Sequence, residues 1–105
     1  MENLLLHNPH AGEILKYEFL EELELSAPSL AVAIGVPDFT IQDMLNARSP
    51  VTADLDLRLC RYFRLSEGYF LRLQNAYQLL DAKRKLGETL DRIVPHAALS
   101  TLDAN

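Results

Sequence analysis

The stretch that decides the fold is Ala27-Pro28-Ser29-Leu30-Ala31-Val32-Ala33-Ile34-Gly35-Val36-Pro37-Asp38-Phe39-Thr40-Ile41-Gln42-Asp43-Met44-Leu45-Asn46. It fits a helix-turn-helix, a pair of short helices crossing steeply around a tight turn. Such a crossing needs a small residue where the helices touch, a glycine in the turn and apolar residues on both inward faces. Ala31 is the small residue, Gly35 the turn, and Leu30, Ile34, Val36, Ile41 and Met44 the inward set. The outward positions Asp38, Thr40, Gln42 and Asp43 are polar, and Phe39 is the exception among them, with an interface or packing back on the domain as its alternatives to a DNA contact. An unrelated helical hairpin is the competing reading.

The punctuation around this segment is helical in both directions. Ser26 is placed to cap the first helix of the pair, and Pro28 is acceptable in a first turn whose amides lack intrahelical partners. Gly35 ends that helix, Pro37 opens the next, and Ala47-Arg48-Ser49-Pro50 reads as a loop. Upstream, a helix is expected from Gly12 to Glu24, with Leu15, Phe19, Leu20 and Leu23 on one side and Glu18, Glu21 and Glu22 facing water. Downstream, Thr52 caps a fourth helix that carries Asp54 in its first turn and buries Leu55, Leu59 and Phe63. Ser66, followed by Glu67, starts a fifth and longest helix with the stripe Phe70, Leu73, Tyr77 and Leu80, running past Lys85 to Gly87. Leu90 and Ile93 fit a shorter helix before Val94-Pro95. With four glycines and no strand-like alternation, the expected class is all-α. The expected architecture is compact and five-helical with an extended C-terminal helix. One domain spans 1–94, its helix-turn-helix 27–46, and a mobile tail 95–105.

The 105 residues give room for one core. Hydrophobic residues at 49% and charged residues at 24% argue against a disordered chain. Ten Lys and Arg against fifteen Asp and Glu give a formal charge of -5, which excludes a uniformly basic coat for nucleic acid. The excess is local: residues 1–36 hold six acids and one base, whereas the remainder is balanced. A lone cysteine rules out an internal disulfide and a multi-thiolate metal site, and Cys60 reads as a small core filler. His7, His10 and His96 show no metal-ligand spacing, and there is no glycine-rich phosphate loop or Ser-His-Asp arrangement. No metal, other cofactor or intrinsic enzyme activity is therefore expected. No apolar run approaches the roughly 20 residues that cross a bilayer, and Met1-Glu2-Asn3 lacks the basic start of a signal peptide. The expected setting is a reduced cytoplasm without membrane contact.

When a helix-turn-helix binds DNA, its second helix enters the major groove and its N-terminal half faces the base edges. That helix offers Asp38, Phe39, Thr40, Gln42 and Asp43. Gln42 can pair with adenine, Phe39 can touch a thymine methyl, and Asp43 can accept from cytosine N4. Two carboxylates on this face repel phosphate, which leaves Arg48 just beyond the helix and Arg58, Arg61 or Arg64 on the fourth helix as phosphate contacts. So few cations imply weak binding and a need for two half-sites. The fifth helix carries more apolar residues than one stripe requires, and a homodimer is expected through Phe70, Leu73, Tyr77 and Leu80 with the C-terminal segment. Lys83-Arg84-Lys85 suits the negative end of that helix.

Further residues carry a family resemblance. Over roughly His10 to Asp81 the chain resembles the HigA group of antitoxins, helix-turn-helix regulators of the Xre class in bacterial toxin-antitoxin modules. The match runs through His10-Ala11-Gly12-Glu13-Ile14-Leu15, Leu30-Ala31 with Gly35-Val36-Pro37, and Val51-Thr52-Ala53-Asp54 with Leu57-Arg58-Leu59. It ends with Leu71-Arg72-Leu73-Gln74 and Ala76-Tyr77. Ala11 stands where the family usually has proline, Phe70 where it has tryptophan, Ala47 where a turn glycine is common, and Asp38 and Thr40 where arginine is frequent. The resemblance implies a lambda-repressor-like fold. It also implies a homodimer that represses its own operon through operator DNA and neutralises a HigB-type ribonuclease toxin. The acidic first helix suits a basic partner of that kind, and a solvated face that only aids solubility is the alternative for each glutamate. The alternative for the whole chain is a protein-interaction module with a degenerate helix-turn-helix and little or no specific DNA binding.

Overall fold

The caps come first, because they fix where each helix begins. In the computed structural model, which describes residues 8–99, His10 Nδ1 accepts the Gly12 amide at 3.0 Å while the His10 amide donates to Glu13 Oε1 at 3.0 Å. This reciprocal cap starts α1, which comprises Ala11–Ile14, a π-helical stretch Leu15–Leu20 and Glu21–Leu23. Ser26 Oγ accepts the Ser29 amide to start α2 (Ala27–Ile34), and Pro37 immediately precedes α3 (Asp38–Leu45). Thr52 Oγ1 accepts the Leu55 amide to start α4 (Ala53–Phe63). The long α5 (Tyr69–Leu86) and the short α6 (Glu88–Asp91) follow, then a single 3-10 turn at Ala97–Leu99. Every helix or turn among the described residues is helical in type, so the all-α class stands. The N-terminal residues with His7, and the last six residues of the expected tail, lie outside the described residues.

Two boundaries differ from the sequence expectation. The π stretch in α1 brings residues five apart onto one side, so Leu15 and Leu20 are both buried while Leu23 is turned out to solvent. The fifth helix starts at Tyr69 rather than Ser66, and its cap comes from elsewhere in the chain. Asp56, on α4 and 1% exposed, accepts the amides of Gly68 (2.6 Å), Phe70 (2.9 Å) and Leu71 (3.2 Å). A carboxylate at a helix N-terminus satisfies amides that have no intrahelical acceptor and lies at the positive end of the helix dipole. Cys60 Sγ, also buried, lies 3.6 Å from the same carboxylate.

The core gathers Leu15 and Leu20 from α1, Leu30, Ala31 and Ile34 from α2, Ile41 and Met44 from α3, Leu55 and Leu59 from α4, and Phe70 from α5. Phe19 links three helices by packing on Phe63 (4.8 Å between ring centroids), Phe70 (5.7 Å) and Tyr69 (5.9 Å). Gln74 on α5 holds the loop before α4 from both sides: its Oε1 accepts the Val51 amide at 2.6 Å and its Nε2 donates to the Val51 carbonyl at 3.1 Å. Beyond this point α5 leaves the core. Its 18 residues correspond to about 27 Å of helix, and the described residues extend 54 × 27 × 21 Å.

Replacing Asp56 by alanine leaves three amides at the start of α5 without their acceptor in a buried place. We expect Asp56→Ala to lower unfolding free energy by about 3 kcal/mol in urea titrations. Asp56→Asn, which keeps one acceptor oxygen, should lose distinctly less.

Candidate nucleic-acid interface

The presentation of α3 depends on how closely its neighbours approach it. Ala31 and Ile41 are buried at the crossing of α2 and α3, and Gly35 takes φ 75°, a left-handed conformation that glycine adopts without strain. The Val36 amide donates to the Ala31 carbonyl at 3.0 Å, closing the turn. On the far side, α1 reaches α3 through Gly12, where a Cβ would collide with the Met44 carbonyl oxygen and crowd Leu45 Cα. The three structural positions expected from sequence, Ala31, Gly35 and Ile41, therefore lie together at the joint.

With Ile41 and Met44 turned inward, a helical period of 100° per residue puts Phe39, Asp43 and Asn46 on the opposite side, flanked by Thr40 and Gln42. Phe39 is 65% exposed. Asp38 is exposed in the first turn, and Thr40, Gln42 and Asp43 are half-buried. Gln42 lines an open groove with Glu21, Glu24, Ser26 and Ala27, which sets it on the flank nearest the acidic end of α1. The helix ends as Asn46 Nδ2 donates to the Gln42 carbonyl at 2.9 Å and Ala47 takes φ 56°. A left-handed alanine is strained by about 1 kcal/mol or more, which accounts for glycine being common there in the family it resembles.

The cations are placed differently from expectation. Arg58 is not a free phosphate contact: its Nη1 donates to the Ile34 (2.7 Å) and Gly35 (3.1 Å) carbonyls, and its Nε donates to Asp54 Oδ1 at 2.7 Å. It thereby occupies the carbonyls at the C-terminus of α2 and pins the turn to α4. Arg48 folds back on Asp43, with Nη1 to Oδ1 at 3.4 Å and the Arg48 amide on the Asp43 carbonyl at 2.8 Å. An exposed pair of this length contributes little, about 0–1 kcal/mol, so a phosphate can compete for Arg48. Among the described residues Arg61 and Arg64 have no hydrogen-bond or ion-pair partner, and both are exposed.

The expected dimerisation residues are not equivalent. Phe70 is 0% exposed inside its own protomer, and this corrects its assignment: a side chain consumed by the core has no surface left for a partner. Leu73, Tyr77 and Leu80 are half-buried, and Tyr77 packs edge-on against His10 at 6.0 Å. In the C-terminal part of the described residues, Leu79 and Leu86 on α5, Leu90 on α6, and Ile93, Val94 and Leu99 beyond it are exposed apolar residues; Val32 on α2 and Leu57 and Tyr62 on α4 are others elsewhere. A cleft of about 270 Å³ lies between α1, the loop at Arg48–Val51 and α5, but His10 and Gln74 on its wall are already committed to capping and to holding that loop. Sequence reasoning missed Asp56, Arg58 and Gln74 in these roles, since each acts on backbone 12 to 24 residues away. No helix among the described residues is long and apolar enough to cross a membrane.

No family model matches the chain. It is 37% identical over 86 residues to virulence-associated protein I of Dichelobacter nodosus, covering 82% of this chain and 79% of that protein. It is 30% identical over 84 residues to antitoxin HigA-1 of Vibrio cholerae, covering 80% and 79%. Among solved structures, the Pseudomonas aeruginosa antitoxin HigA with its higBA promoter superposes at a TM-score of 0.76 and 36% identity, covering 84% of this chain and 97% of that one.

If Arg58 fastens the turn, Arg58→Ala should lower stability by about 1 kcal/mol in the absence of any DNA, the value appropriate to a half-exposed set of charged hydrogen bonds. Arg61→Ala should leave the thermal midpoint unchanged. Equal midpoints for the two variants would remove the fastening role.

Proposed function

The chain belongs to the HigA family of helix-turn-helix antitoxins, and from that premise we propose that it represses its own operon as a homodimer and neutralises a HigB-type ribonuclease toxin. One observation carries the DNA reading: α3 stands with Phe39 and Asp43 turned away from the core, in a fold shared with an antitoxin solved on its promoter. Base contacts then come from Asp38, Phe39, Thr40, Gln42 and Asp43, and phosphate contacts from Arg48, Arg61 and Arg64. We assign the chain no catalytic step of its own.

Leu79, Leu86, Leu90 and Ile93 supply an apolar strip that a second copy can cover. A two-fold pair placing three arginines of each protomer on phosphates gives a slope of about -5 in log K against log salt. Titration of the purified protein onto its own upstream DNA across a salt series should show this slope, a preference over random duplex, and two protomers per site. Binding no tighter than to random DNA would leave only the interaction-module reading, which the cation-free α3 favours. A monomeric mass by light scattering at tens of micromolar would remove the homodimer.

The acidic face of α1 supports the toxin reading. Glu18, Glu21, Glu22 and Glu24 are all exposed there, and a basic partner is favoured by charge complementarity. Reversing Glu18, Glu21 and Glu22 to lysine should weaken association with the toxin encoded by the neighbouring gene and flatten its salt dependence. Unchanged association would assign these glutamates to solvation alone.

A further inference from the structure

Of the four phenylalanines, Phe19, Phe63 and Phe70 pack on one another or on the core, whereas Phe39 does neither among the described residues. It stands 65% exposed in the first turn of α3, on the side opposite Ile41 and Met44. The residues around it are as telling. Between Pro37 and Ala47 there is no lysine or arginine, and Asp38 and Asp43 are carboxylates that only accept hydrogen bonds when ionised. In the major groove guanine presents two acceptors, N7 and O6, which these carboxylates repel, while the side-chain amide of Gln42, with one donor and one acceptor side by side, matches adenine. Thymine and 5-methylcytosine instead present a C5-methyl group, which an exposed aromatic ring covers without needing a donor.

Building on the DNA-binding reading above, we propose that Phe39 reads the C5-methyl group of a pyrimidine and that α3 makes no contact to guanine. Specificity then resides in an apolar contact flanked by two carboxylates, beside the adenine pairing open to Gln42, and the cations outside α3 supply attraction to the backbone without reading sequence. A methyl source on thymine and one on cytosine are chemically equivalent to the ring and are separated by the test.

The test is equilibrium binding of the full chain, at fixed salt, to its upstream operator carrying single base analogues. Deoxyuridine in place of thymidine at the position under Phe39 should weaken binding about fourfold, the effect of uncovering one methyl-sized group. If the methyl belongs to cytosine, 5-methyldeoxycytidine should instead tighten binding about fourfold over cytidine at that position. Substituting 7-deazaguanine for guanine throughout should change nothing. Phe39→Ala should lose the same factor on the native operator and become insensitive to the methyl, whereas Phe39→Leu should keep part of the sensitivity. Specific operator binding that ignores both pyrimidine analogues, or a methyl effect that survives in Phe39→Ala, overturns the role of Phe39. A loss on 7-deazaguanine overturns the exclusion of guanine. No preference for the unmodified operator over a scrambled duplex is a different failure: it removes the DNA-binding reading itself, and this assignment with it.

Discussion

The close approach of α2, α3 and α1 around Ile41 is the constraint on which the rest depends. Helices can cross this tightly only where side chains are small or absent, and three positions provide for it: Ala31 at the crossing, Gly35 in the left-handed turn and Gly12 against the backbone of α3. Once α3 is wedged there, its inward side is fixed by Ile41 and Met44, and the opposite side has no course but outward. The orientation of the candidate interface is thus a by-product of packing, and α3 needs no contacts of its own on the solvent side to hold it.

Packing alone would leave the joint free to slide along apolar surface, because hydrophobic contact has little directionality. Three polar attachments remove that freedom. Arg58 holds the C-terminus of α2, Gln74 holds the backbone of Val51, and Asp56 holds the start of α5. Each satisfies backbone groups that would otherwise be unpaired, so each is selective for one relative placement of the elements it joins. Together they connect the helix-turn-helix through α4 to α5, whose free half carries the uncovered apolar strip. The candidate interface on α3 and the exposed apolar residues of α5 therefore belong to one continuous frame.

Charge divides the molecule in a matching way. The -5 excess belongs to residues 1–36, most of it on the exposed face of α1, whereas among the described residues Arg61 and Arg64, on or just after α4, have no ion-pair partner. Placing the acids away from the arginines limits mutual neutralisation, and the Arg48–Asp43 pair at 3.4 Å is the point where the two signs meet at the candidate interface. Because that pair is weak in water, it can open when a phosphate arrives.

Much of this was legible in the residues. Ser26, Thr52, Gly35 and the apolar spacing of Leu30, Ile34, Ile41 and Met44 act within a few residues of themselves, so the helix-turn-helix follows from sequence, whereas an apolar Phe39 on the polar side was settled as exposed only by the fold. Leu23 and Phe70 show where that stops. A π-helical stretch rotated the first out of the core, and α5 docked so that the second was consumed by it. Arg58 reads from sequence as a phosphate ligand, and nothing local marks Asp56, until the fold brings backbone groups to both. The sequence by itself determined which helices form and which face of α3 is polar, because those depend on near neighbours. Which charged side chains remain available, and which apolar ones remain uncovered, only the tertiary structure decided, since both depend on what distant segments bring within hydrogen-bonding or van der Waals reach.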